Sequence, residues 1–161
     1  MVYALWYSDA KERKAILKMF KEKIVEICQH ESAYLIVCAI LDCVDDTKLI
    51  NLSVLQPLMK QFGDIVTNTY GLRSLIYTVN PRYKLLFNVE ISEFLSYGDS
   101  NENSKKSRDV RYKECAQATQ STIQQYLISQ FEANRSCALE NKTNFHLMSA
   151  FLSSCYVDES S

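Results

Sequence analysis

Residues 32–48 read Ser-Ala-Tyr-Leu-Ile-Val-Cys-Ala-Ile-Leu-Asp-Cys-Val-Asp-Asp-Thr-Lys, and within them nine apolar residues run unbroken from Ala33 to Leu41. A surface helix shows a polar stripe every three to four positions, and none occurs here before Asp42. A helix that is apolar all round must be covered on more than one side. At ~1.5 Å per residue the run is about 14 Å long, too short for a ~30 Å hydrocarbon core. Its place is therefore the middle of a stack of helices. Asp45 and Asp46 end it and offer N-caps to a helix opening at Thr47 or Lys48.

The rest of the chain agrees with a helical protein. It has 161 residues with 47% hydrophobic and 23% charged, but only three glycines and two prolines. Sheets need tight turns, and turns consume these two residue types. The length suits one domain with a sizeable core. The net charge of −1 excludes a polycation, so any nucleic-acid contact must come from local patches. The six cysteines form no C-x-x-C pair and only two histidines accompany them, which argues against zinc. Most of the cysteines sit among apolar neighbours, the pattern of small core residues in a reducing compartment. The start, MVYALWYSD, lacks a basic n-region and a cleavage pattern and reads as the end of a helix. The chain is thus expected to be a piece of, or continuous with, a longer helical protein, and an array that begins at Met1 would leave Leu5 and Trp6 open to water.

Outward from the apolar run, Ser8 or Asp9 can cap a helix reaching Cys28, with Glu12 available to complete a capping box with Asp9, and with Ile16, Leu17, Phe20, Ile24 and Ile27 inward and Lys11, Lys14, Lys18 and Lys21 outward. Pro57 is expected to end or kink the helix from Thr47. Asn68-Thr69-Tyr70-Gly71 reads as a loop before a helix over 72–79, and Asn80-Pro81 as the start of another ending at Gly98. Residues 98–109 form a mobile polar loop. A long helix then runs from about Ser107 or Asp109 to Asn134, packing through Ile123, Tyr126, Leu127, Ile128 and Phe131. A last helix spans about 143–155, before a frayed tail over 156–161.

Three apolar segments share a pattern: SAYLIVCAIL, GLRSLIYTV and TNFHLMSAFL. Aligned on Tyr34, Arg73 and Phe145 they lie 39 and 72 residues apart, and the second spacing is about two units of 36, a solenoid scale. The segments YLIVCAILDCVDDTKLI, TNTYGLRSLIYTVNPR and GDSNENSKKSRDVRYKE resemble the C-terminal domain of the Puf-A/Penguin family, divergent pumilio-like repeat proteins. LDCVDDTKL and SKKSRDVR are its most specific pieces, and the similarity covers about residues 9–152. It implies an all-α, pumilio- or armadillo-like solenoid of about three repeats over residues 1–161, the last repeats of a longer array. It also implies binding of RNA (pre-rRNA or mRNA), and of DNA, with little sequence preference. The site implied is nucleolar or nuclear, in ribosome biogenesis and, in some members, translational control.

Pumilio repeats that read RNA use two edge-reading side chains and one stacker per base. The resemblance puts the stackers at Tyr34, Arg73 and Phe145, and the edge readers at Ala33 and Val37, Leu72 and Ile76, Asn144 and Met148. Five of these six edge positions have no hydrogen-bonding side chain, so base readout is not expected. Tyr34 and Phe145 read either as core aromatics or as stacking platforms. Phosphate contact is expected instead from Lys105, Lys106, Arg108, Arg111 and Lys113, and from Lys11, Arg13 and Lys14 on the first long helix. Both groups read equally as solvated faces. Asp42, Asp45 and Asp46 would be a metal cluster only if capping did not explain the last two. His30 with Cys28 or Cys38 lacks an orienting third group, and no glycine-rich phosphate loop is present. The expected module is non-catalytic, with no cofactor, no metal, no membrane and no small-molecule substrate. Its competitor is a helical scaffold for a ribosomal protein or assembly factor.

Overall fold

The computed structural model describes residues 1–99 and 105–158, and every regular element among them is helical. A short helix α1 (Val2–Tyr7) buries Val2, Leu5 and Trp6. The Asp9 carboxylate then accepts from the N–H groups of Lys11 and Glu12, and Glu12 accepts from the Asp9 N–H. This closed box starts α2 (Ala10–Phe20), which passes through a 3-10 turn at Lys21–Lys23 into α3 (Ile24–Gln29). His30 Nδ1 accepts from the Ser32 and Ala33 N–H groups at 3.3 and 3.4 Å, leading the chain into α4 (Tyr34–Cys43).

The apolar run lies where its composition puts it. Val37, Cys38, Ala39, Ile40 and Leu41 are buried, and α4 is packed against α1 and α3 and two later helices. Full burial of Val37, Ile40 and Leu41 stabilises by about 1.5–3 kcal/mol each. Asp46 caps α5 (Thr47–Ile50) by accepting from Leu49 N–H at 3.0 Å. Pro57 neither ends nor breaks the path that follows. A π-turn, Asn51–Leu55, precedes it and the chain continues as α6 (Gln56–Lys60). The wider turn gives the proline ring room and shifts the bonding ladder that its missing N–H would interrupt. Next comes α7 (Phe62–Thr67).

Thr69-Tyr70-Gly71 is the first turn of α8 (Thr69–Val79) and not a loop, because Asn68 caps the Tyr70 and Gly71 N–H groups. Glycine is needed there for closeness: a Cβ on Gly71 would run into the Ile65 carbonyl. The helix expected at Asn80-Pro81 does not form. Arg82 adopts a left-handed φ of 59°, the chain turns, and Tyr83 and Phe87 enter the core. Asn88 then caps α9 (Val89–Ser96). Leu5 and Trp6 are therefore shielded rather than exposed: the Trp6 ring lies 5.0 Å from Phe94 of α9 and 6.2 Å from Tyr97.

Ser107 caps α10 (Arg108–Ala133), whose buried stripe is Arg111, Cys115, Thr119, Ile123 and Leu127, while Ile128 faces solvent. Asn134 caps the short α11 (Arg135–Glu140), and α12 (Lys142–Asp158) runs beyond the Cys155 limit suggested by the sequence. Residues 100–104 of the polar segment and 159–161 of the tail lie outside the described residues. The three aligned apolar segments fall on α4, α8 and α12, and α8 packs against both others. Cys28, Cys38, Cys43 and Cys115 are buried in the core.

Candidate nucleic-acid interface

Two of the expected phosphate-binding arginines are buried. Arg13 is 2% exposed. It follows the Leu17, Phe20 and Ile24 stripe one turn back on α2, so its stem continues the apolar face. Its guanidinium donates to the carbonyls of Leu5 at 2.9 Å, Cys43 at 2.8 Å and Trp6 at 3.3 Å. These are carbonyls at the ends of α1 and α4, and Arg13 knits the two termini together. Arg111, 5% exposed, does the same on α10. It donates to the carbonyls of Lys106 and Asp42 and to the Asp45 carboxylate at 3.0 Å. Both arginines stand four residues before the next member of a buried stripe, and that spacing is the sequence signal that marks them as structural.

The remaining cations of the loop are partly neutralised. Lys106 Nζ lies 2.7 Å from Glu114 and Arg108 Nη1 2.7 Å from Asp99, both partly exposed pairs of small energetic weight. Lys105 is exposed, and its backbone N–H is anchored to Asp45 at 2.6 Å. Lys14 pairs with Asp46 at 2.9 Å with half its side chain in solvent. Lys11, Lys18 and Lys21 are exposed on the same helix or its edge. Lys113 is exposed on α10 and borders a groove of about 640 Å³ with Val79, Asn80, Pro81 and Phe151.

The fold does bring the two expected basic groups together. A cleft of about 560 Å³ is lined by Arg13, Lys14, Lys105 and Lys106, with Asp45 and Asp46 as the opposing carboxylates. Arg73 does not join this cluster. Its guanidinium lies 5.7 Å from the rings of Tyr34 and Tyr70, at the opposite end of α4 and so about 15 Å from the Asp45 end.

The stacking positions divide. Tyr34 is 2% exposed, lies 5.6 Å from the Tyr70 ring and 6.4 Å from Phe87, and is a core residue. Phe145 is 49% exposed and presents its ring to solvent. Of the edge positions, Val37, Leu72, Ile76 and Asn144 are buried, so this face offers bases almost no donor or acceptor.

Asp42, the buried carboxylate of the candidate metal cluster, is engaged by protein donors. Tyr77 Oη reaches both Asp42 carboxylate oxygens at 2.9 and 2.8 Å, Tyr112 Oη donates to one of them, and Arg82 Nη2 lies 3.2 Å from the other. Burial pushes the Asp42 carboxyl above its usual range, and the donors from Tyr112, Arg82 and Tyr77 draw it back only in part. Asp99 takes both Arg82 nitrogens, at 2.6 and 2.7 Å. Partial burial pushes its carboxyl up, but the hydrogen bonds from Arg82 and Arg108 outweigh that and hold it below the usual range. This network, invisible in local patterning, had one sign in the sequence: an aspartate inside a wholly apolar helix must find buried partners.

Comparison with known proteins gives the following. The family model of the CPL (NUC119) domain matches residues 67–161. Pumilio homolog 3 of Homo sapiens is 32% identical over 126 residues, covering 78% of this chain and 19% of that protein. Protein penguin of Drosophila melanogaster is 27% identical over 128 residues, covering 77% and 17%. The crystal structure of human Puf-A in complex with DNA superposes with a TM-score of 0.85 at 30% identity, over 94% of this chain and 29% of that one. The all-α, pumilio-like helical architecture expected from the sequence is therefore the one present. The chain spans about a fifth of the length of the curated relatives it matches.

Proposed function

Because the chain belongs to the CPL (NUC119) domain family of pumilio-like proteins, we propose that it is a non-catalytic module that binds RNA or DNA through phosphate, with little regard for sequence. The observation that carries this reading is the cleft in which Lys14, Lys105 and Lys106 converge, while five of the six base-reading positions are apolar and four of the six are buried. A relative of the same fold is known in complex with DNA. Binding by so few cations is weak, about 10⁻⁴ to 10⁻⁶ M at physiological salt.

The family resemblance extends the proposal to a role in ribosome biogenesis within the nucleolus, with pre-rRNA as ligand, and to mRNA in translational control. Filter binding of a 20-nucleotide RNA and a 20-base-pair DNA at 50 and 200 mM salt tests the biochemical part. The expected result is binding to both, weakened by salt and equal across scrambled sequences. Binding indifferent to salt, or a preference between scrambled sequences, overturns it.

A second reading has one observation in its favour. Lys106, Arg108 and Arg111 are tied to Glu114, Asp99 and Asp45, which lowers the charge left for phosphate. On that reading the array docks a ribosomal protein or assembly factor, and no nucleic-acid binding is expected in the filter assay.

A further inference from the structure

The contact between α1 and α9 carries a group of aromatic rings that phosphate binding leaves unexplained. Tyr3 is 59% exposed and Tyr97 70% exposed. Neither ring is loose. Tyr3 stands edge-on to Trp6 at 5.1 Å and to Phe94 at 6.0 Å, and Tyr97 lies 6.2 Å from Trp6. Trp6 itself is wedged in the core, and the residue after Tyr97 is Gly98, where a Cβ would lie 2.6 Å from the indole Cδ1. The tyrosines are thus exposed faces held against a buried indole, and grouped exposed rings of this kind mark an interaction site.

This aromatic shelf is linked to the basic cleft through the backbone of α1. Arg13, which lines the cleft, donates to the carbonyl of Trp6, which supports the shelf. Asp99, two residues beyond Tyr97, pairs with Arg108 at 2.7 Å. Flat exposed rings beside a cationic groove are the combination that holds single strands: the groove follows the phosphates and the rings stack on unpaired bases. A duplex hides its base faces and can use only the cations.

We propose that Tyr3 and Tyr97 form a base-stacking platform that, with Lys14 and Lys105, makes this end of the chain a site for single-stranded nucleic acid. The proposal rests on the nucleic-acid reading above and narrows it to one class of substrate. Stacking needs the ring and not the hydroxyl, so Tyr→Phe preserves it and Tyr→Leu removes it while keeping an apolar side chain. Two exposed rings are involved, and loss of a stacked base costs roughly tenfold in affinity for each.

The test compares three probes on the 161-residue chain: a single-stranded 20-mer, the same length made of abasic sites, and a 20-base-pair duplex. The single strand is expected to bind more tightly than the abasic strand. Y3L/Y97L should weaken the single strand roughly a hundredfold, leave the duplex and abasic strand unchanged, and keep the wild-type melting temperature within a few degrees. Y3F/Y97F should bind as the wild type does. The sole tryptophan, Trp6, supplies a second readout: its fluorescence should respond to the single strand and stay constant with the abasic one. Equal, salt-sensitive binding of all three probes sinks the platform and leaves the phosphate reading standing. Binding of none sinks both. A Y3L/Y97L chain that melts normally and binds the single strand like the wild type also overturns the platform.

Discussion

The Arg82 guanidinium lies 3.2 Å from the carboxylate of Asp42, forty residues earlier in the chain. Arg82 sits in the turn that replaces the helix expected after Asn80, and Asp42 sits inside the most apolar helix of the protein. The pair therefore fixes a left-handed turn against the core, and Tyr77 and Tyr112 bring α8 and α10 to the same carboxylate. Removing the acceptor takes a partner from the buried Tyr77 hydroxyl and the half-buried Tyr112 hydroxyl, while Arg82 keeps its two bonds to Asp99. Asp42→Ala is expected to cost about 2–4 kcal/mol, from two hydroxyls that lose their acceptor, a large part of the stability of a domain this size. Tyr77→Phe removes one donor and should cost about 1–2 kcal/mol. Urea unfolding followed by circular dichroism measures both, and equal midpoints for wild type and Asp42→Ala would show that the network is dispensable.

Acid should unfold the protein through the outer pairs rather than through Asp42. Hydrogen bonding by Lys14 holds Asp46 below its usual range, Lys106 does so for Glu114, and Arg82 and Arg108 do so for Asp99. A depressed carboxylate stabilises the folded state above its unfolded pKa and loses that contribution as pH falls through the folded value. Stability is therefore expected to decline below about pH 4, the ordinary carboxylate range. Asp42 has the opposite sign, since burial raises it and its protonation is favoured by folding. Asp99→Asn should flatten the decline between pH 5 and pH 3, on the order of the unfolded carboxylate range. Urea midpoints across that interval decide it, and an unchanged slope in the variant would remove Asp99 from the account.

Two helical glycines should respond to alanine in opposite directions. Gly63 in α7 has open space where a Cβ would go, so Gly63→Ala is expected to stabilise by about 0.5–1 kcal/mol through backbone entropy. Gly71 in α8 touches the Ile65 backbone, which cannot move without shifting α7. Gly71→Ala should destabilise by about 1–3 kcal/mol despite the better helix propensity of alanine. Thermal melts of the two variants test the contrast in sign.

Where the sequence was decisive, the deciding force was local. Nine apolar residues without a polar stripe have only one home, and Val37 to Leu41 are in it. The caps at Asp9, Asp46 and Ser107 were legible because a capping side chain reaches only two or three residues. The turn at Arg82 was not, because its cause is a carboxylate forty residues away. Gly71 misled for the same reason: it looked like a breaker, and the contact that requires it lies in the preceding helix. Among candidate site residues, charge is legible in the sequence and burial is not. Arg13 and Arg111 extend buried stripes, and their partners are carbonyls at helix ends, which no side-chain pattern reveals.

That distinction between structural and exposed cations yields the final prediction. Lys14 and Lys105 are the cations of the cleft with the most solvent exposure, and Arg13 and Arg111 are the ones bound inward. Each lysine that contacts a phosphate releases counterions, so Lys105→Gln and Lys14→Gln should each reduce the salt slope of binding by roughly 0.7 for a single strand. They should weaken all sequences equally and leave the urea midpoint within error, since exposed ion pairs contribute little to stability. Arg13→Gln and Arg111→Gln should do the reverse: they leave carbonyls of α1 and α4 without a donor and lower the midpoint, while the folded fraction binds with the wild-type salt slope. Slopes of log Kd against log salt for the four variants, measured beside their urea curves, separate the two pairs. If Arg13→Gln lowers the slope as much as Lys105→Gln, the guanidinium reaches the polynucleotide and its place at the end of α4 is not its whole role.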